Sequence, residues 1–553
     1  MSTRKKNSSN LLVQGSILAM ASIVSRIIGL IYRIPLTAII GDVGNDYYGC
    51  AFEIYNILLI ISSYSLPLAV SKLVSAGVTK GRKKNVYRIL KCAFLFALIS
   101  GAVAGCILFF GAEFITANIM KTPYSVFAVK VLAPTLLVVA ILGVIRGYFQ
   151  GLGTMMPSAV SQVLEQIVNA VVSVWAAYVL FSYGAKVGAI LGNPDNYAAA
   201  YGAMGGTIGT GAGAVVALLF VGFVYLIYMR LYKQQMKRSR EHEVDSYRYT
   251  FHILIMTVIP VLLSTTIYNC SSIIDQILFK HIANAQGYDA GQISIWWGKY
   301  SGKYRTLINV PISIASALAA SSVPSLTAAF SEGKDKLVRA QMQSAIHYIM
   351  VIAFPCTVGM AVLASPILQL LFQDDSKLAA QMLQVGAVSI LFFSLSTLSN
   401  GLLQGVNRMK EPVKNAVIAL AAHLVLLCVM MYQLKWNIYA VIYANAAFGL
   451  FMCLLNAHSI KKYSGYRQEL KKTFVIPLAA SAGMGVVVWL LYFLLEKAFH
   501  NNIVGTIAGI LVGAFVYFAL LLLLHGMDEE DLSKFPKGDA LIRLAHKLHL
   551  LRS

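Results

Sequence analysis

The sequence predicts an all-α integral membrane protein with about 14 transmembrane helices, and its composition, apolar segments and charge distribution all favour this fold class. Of the 553 residues, 58% are hydrophobic and only 12% are charged. Soluble domains carry about 25% charged residues, so this chain is too apolar to be one of them. Because a helix satisfies its own backbone hydrogen bonds in lipid, we expect helices throughout.

Apolar stretches of about 20 residues, long enough to cross a hydrocarbon core of roughly 30 Å, recur along almost the whole chain. The predicted segments lie near 11–40, 49–76, 87–111, 125–150, 157–182, 199–229, 251–280, 303–330, 342–371, 379–406, 412–433, 436–457, 473–496 and 501–525.

The Lys and Arg residues alternate between the two predicted sides of the membrane. With the N-terminus in the cytoplasm, about 31 of the 45 Lys and Arg lie on the cytoplasmic side and about 7 outside. Short cytoplasmic loops are enriched in these residues, so the pattern predicts a multi-pass protein of the cell membrane with both termini cytoplasmic. Topology and anionic lipid headgroups then account for the net charge of +22, without a nucleic-acid partner.

The chain repeats a short motif at an offset of about 254 residues. Gly147-Tyr148-Phe149-Gln150-Gly151 ends the fourth segment, and Gly401-Leu402-Leu403-Gln404-Gly405 ends the tenth. A methionine and a proline follow each copy. The repeat predicts two parallel six-helix halves plus two extra C-terminal helices, an arrangement typical of transporters that move one half against the other.

The predicted domains follow from this repeat. They are an N-terminal six-helix half (1–230), a basic cytoplasmic linker (231–250), a C-terminal six-helix half (251–460), transmembrane helices 13 and 14 (461–525) and an amphipathic cytoplasmic tail (526–553) with Leu541, Leu544, Leu548 and Leu551 on one side.

Two arginines inside the first segment mark a candidate site. Ser22, Arg26, Gly29 and Arg33 are spaced to lie on one helix face, here called the arginine face. A charged side chain at bilayer depth costs about 2.5–3.5 kcal/mol on insertion scales, so it is usually turned toward a polar cavity or a partner. The alternative is structural: Arg33 reaches the interface and Arg26 pairs with a carboxylate.

Other polar side chains are predicted to face the same space between the halves. They are Arg305 and Asn309 in the eighth segment, Asn269 and Asp275 in the seventh, Glu53 in the second and Glu165 in the fifth. Away from the segment ends, at bilayer depth, the count is seven basic groups against three acidic ones, so we expect a positive cavity and an anionic substrate. Arginine forks bind phosphate oxygens in pairs, and two or three of them suit a diphosphate.

The three carboxylates have two open interpretations. Asp275, Glu53 and Glu165 either neutralise the arginines in the empty cavity or bind a coupling cation, Na⁺ or H⁺; the membrane potential is a further energy source. For Glu165 a structural ion pair or capping hydrogen bond is favoured. No phosphate loop, zinc-protease or hydrolase motif is present, so the sequence predicts neither an enzyme nor a cofactor or metal site.

The chain resembles a known transporter family in two places. Ser25-Arg26-Ile27-Ile28-Gly29 with Arg33, and the 147–151 motif, are similar to the polysaccharide-export branch of the multidrug, oligosaccharidyl-lipid and polysaccharide exporter superfamily. Within this branch the chain looks like the MurJ-type lipid II flippases of peptidoglycan synthesis in their Gram-positive form, which includes stage V sporulation protein B. The likeness covers essentially all fourteen segments.

The resemblance implies a flippase that carries an undecaprenyl-diphosphate-linked precursor, with lipid II favoured, to the outer leaflet by alternating access. It implies that Arg26, Arg33 and Arg305 bind the diphosphate, with a monomer as the expected state and cell-wall synthesis proteins as candidate partners. Ile34 stands where Gram-negative flippases have an acidic residue, and their second-segment arginine is missing here. The alternatives are a flippase for a capsule, teichoic or sporulation glycan and, more remotely, a drug/cation antiporter.

Overall fold

The computed structural model describes residues 2–237, 244–533, 542–543 and 546–547, and every regular element in this part of the chain is helical. The all-α prediction is confirmed. The chain forms two compact units, Met1–Gly302 and Lys303–Ser553. The predicted division at 231–250 rests on the sequence repeat and stays a prediction. Residues 238–243 of the linker and Leu541, Leu544, Leu548 and Leu551 of the tail lie outside the described residues.

The first unit contains eight α-helices among its described residues. They are α1 (Ser2–Leu59), α2 (Leu66–Thr79), α3 (Lys83–Phe114), α4 (Val126–Gly151), α5 (Met156–Leu191), α6 (Pro194–Lys237), α7 (Tyr247–Ala285) and α8 (Ala290–Gly298). Short π-helical turns follow α1 and α3, and a third (Lys299–Tyr304) follows α8 and contains the boundary between the units.

The second unit contains ten α-helices among its described residues. They are α9 (Arg305–Ser331), α10 (Asp335–Val362), α11 (Ala364–Phe372), α12 (Lys377–Gly386), α13 (Val388–Gly405), α14 (Lys410–Tyr432), α15 (Asn437–Ser464), α16 (Ile476–Phe499), α17 (Asn502–Leu523) and α18 (Glu529–Ser533).

Twelve helical stretches of the described residues are long and apolar enough to cross a membrane, so the protein is a multi-pass membrane protein. The first stretch, Met20–Thr79, contains both of the first two predicted segments. Helix α7 coincides with the seventh predicted segment and is not one of the twelve. The count of fourteen therefore stays a prediction.

Helix α1 is interrupted at Gly41. Its backbone there has φ 68° and ψ −177°, a conformation essentially restricted to glycine. Pro35, a residue type that can bend a helix, lies inside α1, and the interruption comes six residues later. A proline near a helix middle removes one hydrogen bond, whereas the glycine conformation changes the chain direction outright.

The repeated glycine motif has the same packing role in both units. A Cβ atom added at Gly147 would lie 2.6 Å from the carbonyl oxygen of Pro67, so the end of α4 touches the backbone of α2. A Cβ atom added at Gly401 would lie 2.8 Å from Cβ of Ala319, so the end of α13 touches α9 in the same way. The motif is therefore a close-packing device, with small residues permitting helix contact.

The glycines of α17 also serve close packing. Cβ atoms added at Gly505 and Gly513 would lie 3.1 Å from Tyr492 and 2.7 Å from Val488, both on α16. These small residues therefore let α17 pack closely against α16.

A buried ion pair fixes α7 to α1. The Lys280 Nζ lies 2.6 and 2.7 Å from the two carboxylate oxygens of Asp46, and both side chains are only 1% exposed. Ser294 of α8 donates a hydrogen bond to the same carboxylate at 2.6 Å, and Lys280 donates to Thr122. Such a pair is stable at this depth because further hydrogen bonds satisfy its remaining polar atoms.

Candidate functional site

The arginine face of α1 lies along α5. Ser22 Oγ is 3.3 Å from Gln162 Oε1, and a Cβ atom added at Gly29 would lie 3.8 Å from the side-chain oxygen of Gln166. Helix α1 thus packs against a polar stripe of α5, and this contact sets its rotation. The predicted grouping of Ser22 and Gly29 on one side of the helix agrees with these contacts.

Arg33 lies over an aromatic ring. Its guanidinium carbon is 4.6 Å from the ring centre of Tyr48, which is 1% exposed. The arginine is half-buried and makes neither a hydrogen bond nor an ion pair with any residue that the structure describes. A guanidinium carries five N–H donors, so its hydrogen-bonding capacity stays available for a ligand.

Arg26 lies two helical turns before Arg33 on α1, and its side chain is exposed. Seven residues of helix separate the two arginines, which corresponds to about 10.5 Å along the axis. Its role as a second ligand stays a prediction.

Glu165 is paired with a different arginine. Its carboxylate lies 2.8 Å from Arg146 Nη2, and the Nε of Arg146 donates to Ser161 Oγ at 2.8 Å. Both partners of the ion pair are largely buried, at 13% and 21% side-chain exposure. Glu165 therefore joins α4 to α5, which is the structural ion pair that the sequence favoured.

Glu53 contacts α7 through Ser272, a member of its polar stretch. Ser272 donates a hydrogen bond to the Glu53 carboxylate, and Asp275, one turn further along α7, is 1% exposed. Gln276 is fully buried, and neither of its amide atoms has a hydrogen-bond partner among the described residues. Asn269, at the other end of this stretch, is exposed.

The sequence count of seven basic against three acidic groups needs correction. The Lys280 ammonium is paired with Asp46, and Lys130 lies 2.6 Å from Glu113. Both acids were missed because they lie just outside the predicted segments 49–76 and 87–111. Arg146 is paired as well, so carboxylates neutralise three of the seven basic groups. The positive charge expected for the cavity therefore comes from fewer residues than the sequence count suggested.

The remaining predicted ligands belong to the second unit. Arg305 and Asn309 lie one turn apart at the start of α9; Arg305 is half-buried and Asn309 is exposed. Within residues 2–237 and 244–533, no group of three His, Cys, Asp or Glu side chains is placed to hold a metal ion.

Two models of known protein families match the sequence. The polysaccharide biosynthesis protein model matches residues 11–330, more than half of the sequence, including the arginine face and the 147–151 motif. The chain belongs to the polysaccharide biosynthesis protein family. A second model, MatE, matches residues 260–430 of this family member.

Relatives of this polysaccharide biosynthesis protein family member span nearly its whole length. The lipid II flippase MurJ of Bacillus subtilis (strain 168) is 28% identical over 515 residues, which cover 88% of this chain and 90% of the relative. Stage V sporulation protein B of the same strain is 23% identical over 525 residues, covering 94% and 96%. A solved lipid II flippase MurJ in an inward closed conformation has a TM-score of 0.64 at 15% identity, covering 91% of this chain and 97% of that one.

Proposed function

We propose that this protein is a flippase that carries an undecaprenyl-diphosphate-linked cell-wall precursor, with lipid II as the favoured cargo, from the cytoplasmic to the outer leaflet by alternating access. The observation that carries the proposal is the Arg33 guanidinium, half-buried in a membrane helix over the Tyr48 ring and without a carboxylate within 4 Å among the described residues. Arg146, Lys130 and Lys280 are each matched by an acid.

A diphosphate suits this guanidinium for geometric reasons. The planar fork offers parallel N–H donors that match two oxygens of one phosphate, and charge-assisted hydrogen bonds of this kind are about twice as strong as neutral ones. The opposite edge of the same group can contact a second phosphate. Arg26 and Arg305 are the further diphosphate ligands in this proposal, with Asn269 and Asn309 as hydrogen-bond donors to the carried headgroup.

The family relationship supports the same class of cargo. A relative that is 28% identical over 90% of its own length is named a lipid II flippase. The solved structure with that name shares the fold. Neither name transfers the sugar or peptide part of the cargo to this chain, so lipid II itself remains the proposal to be tested.

A coupling cation would be held by α7 and the second half of α1. Carboxylate and amide oxygens are the ligands that Na⁺ shares with other hard cations. Glu53 and Asp275 supply the carboxylates, and the buried Gln276 amide has no other partner among the described residues. Protonation of Asp275 or Glu53, or the membrane potential acting on bound charge, are the other proposed sources of energy. Since Glu165 is bound to Arg146, we assign it a structural role.

The second candidate is a flippase for another lipid-linked glycan. It is favoured by the match to stage V sporulation protein B over 96% of that protein. Capsule and teichoic precursors share the same diphosphate, so Arg33 serves all of these cargoes equally. A drug/cation antiporter would need an acidic cavity instead, and the MatE model covers only residues 260–430.

The site is tested by rescue of a flippase-depleted bacterium. Arg33→Ala and Arg26→Ala should reach the membrane at wild-type levels and fail to restore growth, because the diphosphate loses its ligands. The matched control is Lys72→Ala, which removes one positive charge from an exposed side chain of α2 in the same unit. Wild-type rescue by Arg33→Ala would remove the basis of the proposal.

The cargo is tested by following the precursors directly. Depletion of the protein in its own host should leave radiolabelled lipid II in the inner leaflet, where an externally added enzyme or label cannot reach it. If lipid II still reaches the outer leaflet while another lipid-linked glycan accumulates inside, the second candidate is correct. Uptake or efflux of cationic dyes without any lipid phenotype would favour the antiporter.

A further inference from the structure

We infer that Tyr48 is a positioning residue for the cargo headgroup: its ring holds the Arg33 guanidinium in the orientation in which it binds the diphosphate. This inference rests on the proposed function. Its geometric basis is the distance of 4.6 Å between the guanidinium carbon and the ring centre, well inside the range of a cation–π contact. Among the described residues, no hydrogen bond or ion pair fixes the guanidinium in addition to this contact.

The contact exists only because α1 is interrupted. In a straight helix Arg33 and Tyr48, fifteen residues apart, would be separated by about 22 Å along the axis. The backbone conformation at Gly41 (φ 68°, ψ −177°) turns the second part of α1 so that the ring comes beneath the guanidinium. The contact between Arg33 and the Tyr48 ring therefore depends on the backbone conformation of Gly41.

The Tyr48 ring is itself held from several sides. Phe52 packs against it with ring centres 4.5 Å apart. A Cβ atom added at Gly206 of α6 would lie 3.0 Å from the ring edge, so α6 closes on it through a glycine. With 1% exposure the ring has almost no freedom to move, and it offers a fixed surface to the arginine.

A chain of hydrogen bonds fixes the hydroxyl end of the ring. The Tyr48 hydroxyl lies 3.5 Å from that of Tyr32, which accepts a hydrogen bond from Asn169 Nδ2 at 3.3 Å. The Asn169 side-chain oxygen in turn accepts a hydrogen bond from Ser173 at 2.9 Å. All four residues are buried, so contacts from α5 as well as α1 fix the position of the Tyr48 ring beneath Arg33.

Such support matters for affinity because an arginine has many rotamers. Ordering a free, rotamer-rich side chain on binding weakens an interaction by about two- to tenfold, and a side chain that is already held avoids most of this loss. Tyr48→Leu should therefore weaken headgroup binding by about that factor. Tyr48→Phe keeps the π face and should bind within about twofold of the wild type, since only the hydroxyl contact is lost.

The experiment measures binding of fluorescent farnesyl diphosphate to the full chain in lipid nanodiscs. The variants are Tyr48→Leu, Tyr48→Phe and Arg33→Ala, with Tyr48→Leu repeated in the Arg33→Ala background as a double-mutant cycle. Tyr48→Met, which fills the same space without a π face, replaces Tyr48→Leu if the latter does not fold. The control is Tyr47→Leu, because Tyr47 is also buried on the same helix and contacts Asn196 and Tyr124 instead of an arginine.

The inference expects weaker binding by Tyr48→Leu, near-normal binding by Tyr48→Phe and Tyr47→Leu, and no further effect of Tyr48→Leu once Arg33 is alanine. Normal binding by Tyr48→Leu while Arg33→Ala binds weakly would overturn the inference and leave the proposed function intact. An undiminished Tyr48→Leu effect in the Arg33→Ala background would overturn it as well. Normal binding by Arg33→Ala would reject the proposed site itself.

Discussion

Replacing Lys280 with methionine should destabilise the first unit strongly. The substitution keeps the volume and removes the ammonium that lies 2.6 and 2.7 Å from the Asp46 carboxylate oxygens. Both side chains are 1% exposed, so the carboxylate would be left buried with a hydrogen bond from the Ser294 hydroxyl of α8 but without its cation. Breaking a buried pair in this way costs about 3–5 kcal/mol, whereas replacing both partners by apolar residues is close to neutral.

The measurement is the unfolding temperature of the detergent-solubilised protein by scanning fluorimetry. At about 2 °C per kcal/mol, Lys280→Met should lower it by roughly 6–10 °C, and Asp46→Leu added to Lys280→Met should recover most of the loss. The matched control is Lys130→Met, whose partner Glu113 is 75% exposed, and water screening should leave its unfolding temperature unchanged. Equal unfolding temperatures for Lys280→Met and Lys130→Met would refute the reasoning.

Three further substitutions test the packing, the helix interruption and the largely buried ion pair between Lys303 and Asp374. Gly147→Ala should cost about 1–3 kcal/mol because the new methyl group meets backbone, while Gly222→Ala, with open space around it, should cost nothing; similar unfolding temperatures would contradict the packing role. Gly41→Ala should cost about 1–3 kcal/mol and weaken farnesyl diphosphate binding, since it strains the turn that places Tyr48; unchanged binding and stability would argue against it. Burial raises the pKa of Asp374, but hydrogen bonds from Lys303 and Ser376 outweigh this and hold the pKa well below its usual range. The pair therefore stabilises the protein above about pH 4 and loses this contribution as the pH falls, so the difference in unfolding temperature between wild type and Asp374→Asn should shrink with acidification; a constant difference would show that the carboxylate does not titrate as described.

The helical fold was predictable because a chain in lipid must satisfy its backbone hydrogen bonds internally, and few structures other than helices do so. Apolar length alone predicts helices, and the structure has helices over all of the predicted segments that it describes. The glycine repeat at 147–151 and 401–405 predicted that these two stretches have equivalent places in the two halves. In the structure both stretches lie at the end of a helix that packs closely against a neighbouring helix. The bend at Gly41 was missed because a glycine in an apolar run has no sequence signal that distinguishes a turn from a packing contact.

The candidate site was predicted in part. Helical spacing found the Arg26 and Arg33 face, and the resemblance suggested their role. Tyr48 was missed because it reaches Arg33 across fifteen residues and an interruption, which no helical periodicity contains. Asp46 was missed because it lies in a gap between predicted segments, and its partner Lys280 was therefore counted as a cavity charge.

The central claim is that Arg33 binds the diphosphate of a lipid-linked cargo. Its most direct test is a cryo-electron microscopy structure of the protein in nanodiscs loaded with an undecaprenyl-diphosphate precursor. If Arg33 binds the cargo, a phosphate oxygen will lie within hydrogen-bond distance of its guanidinium, which stays over the Tyr48 ring. A diphosphate resolved elsewhere, with Arg33 making no contact to it, would contradict the account.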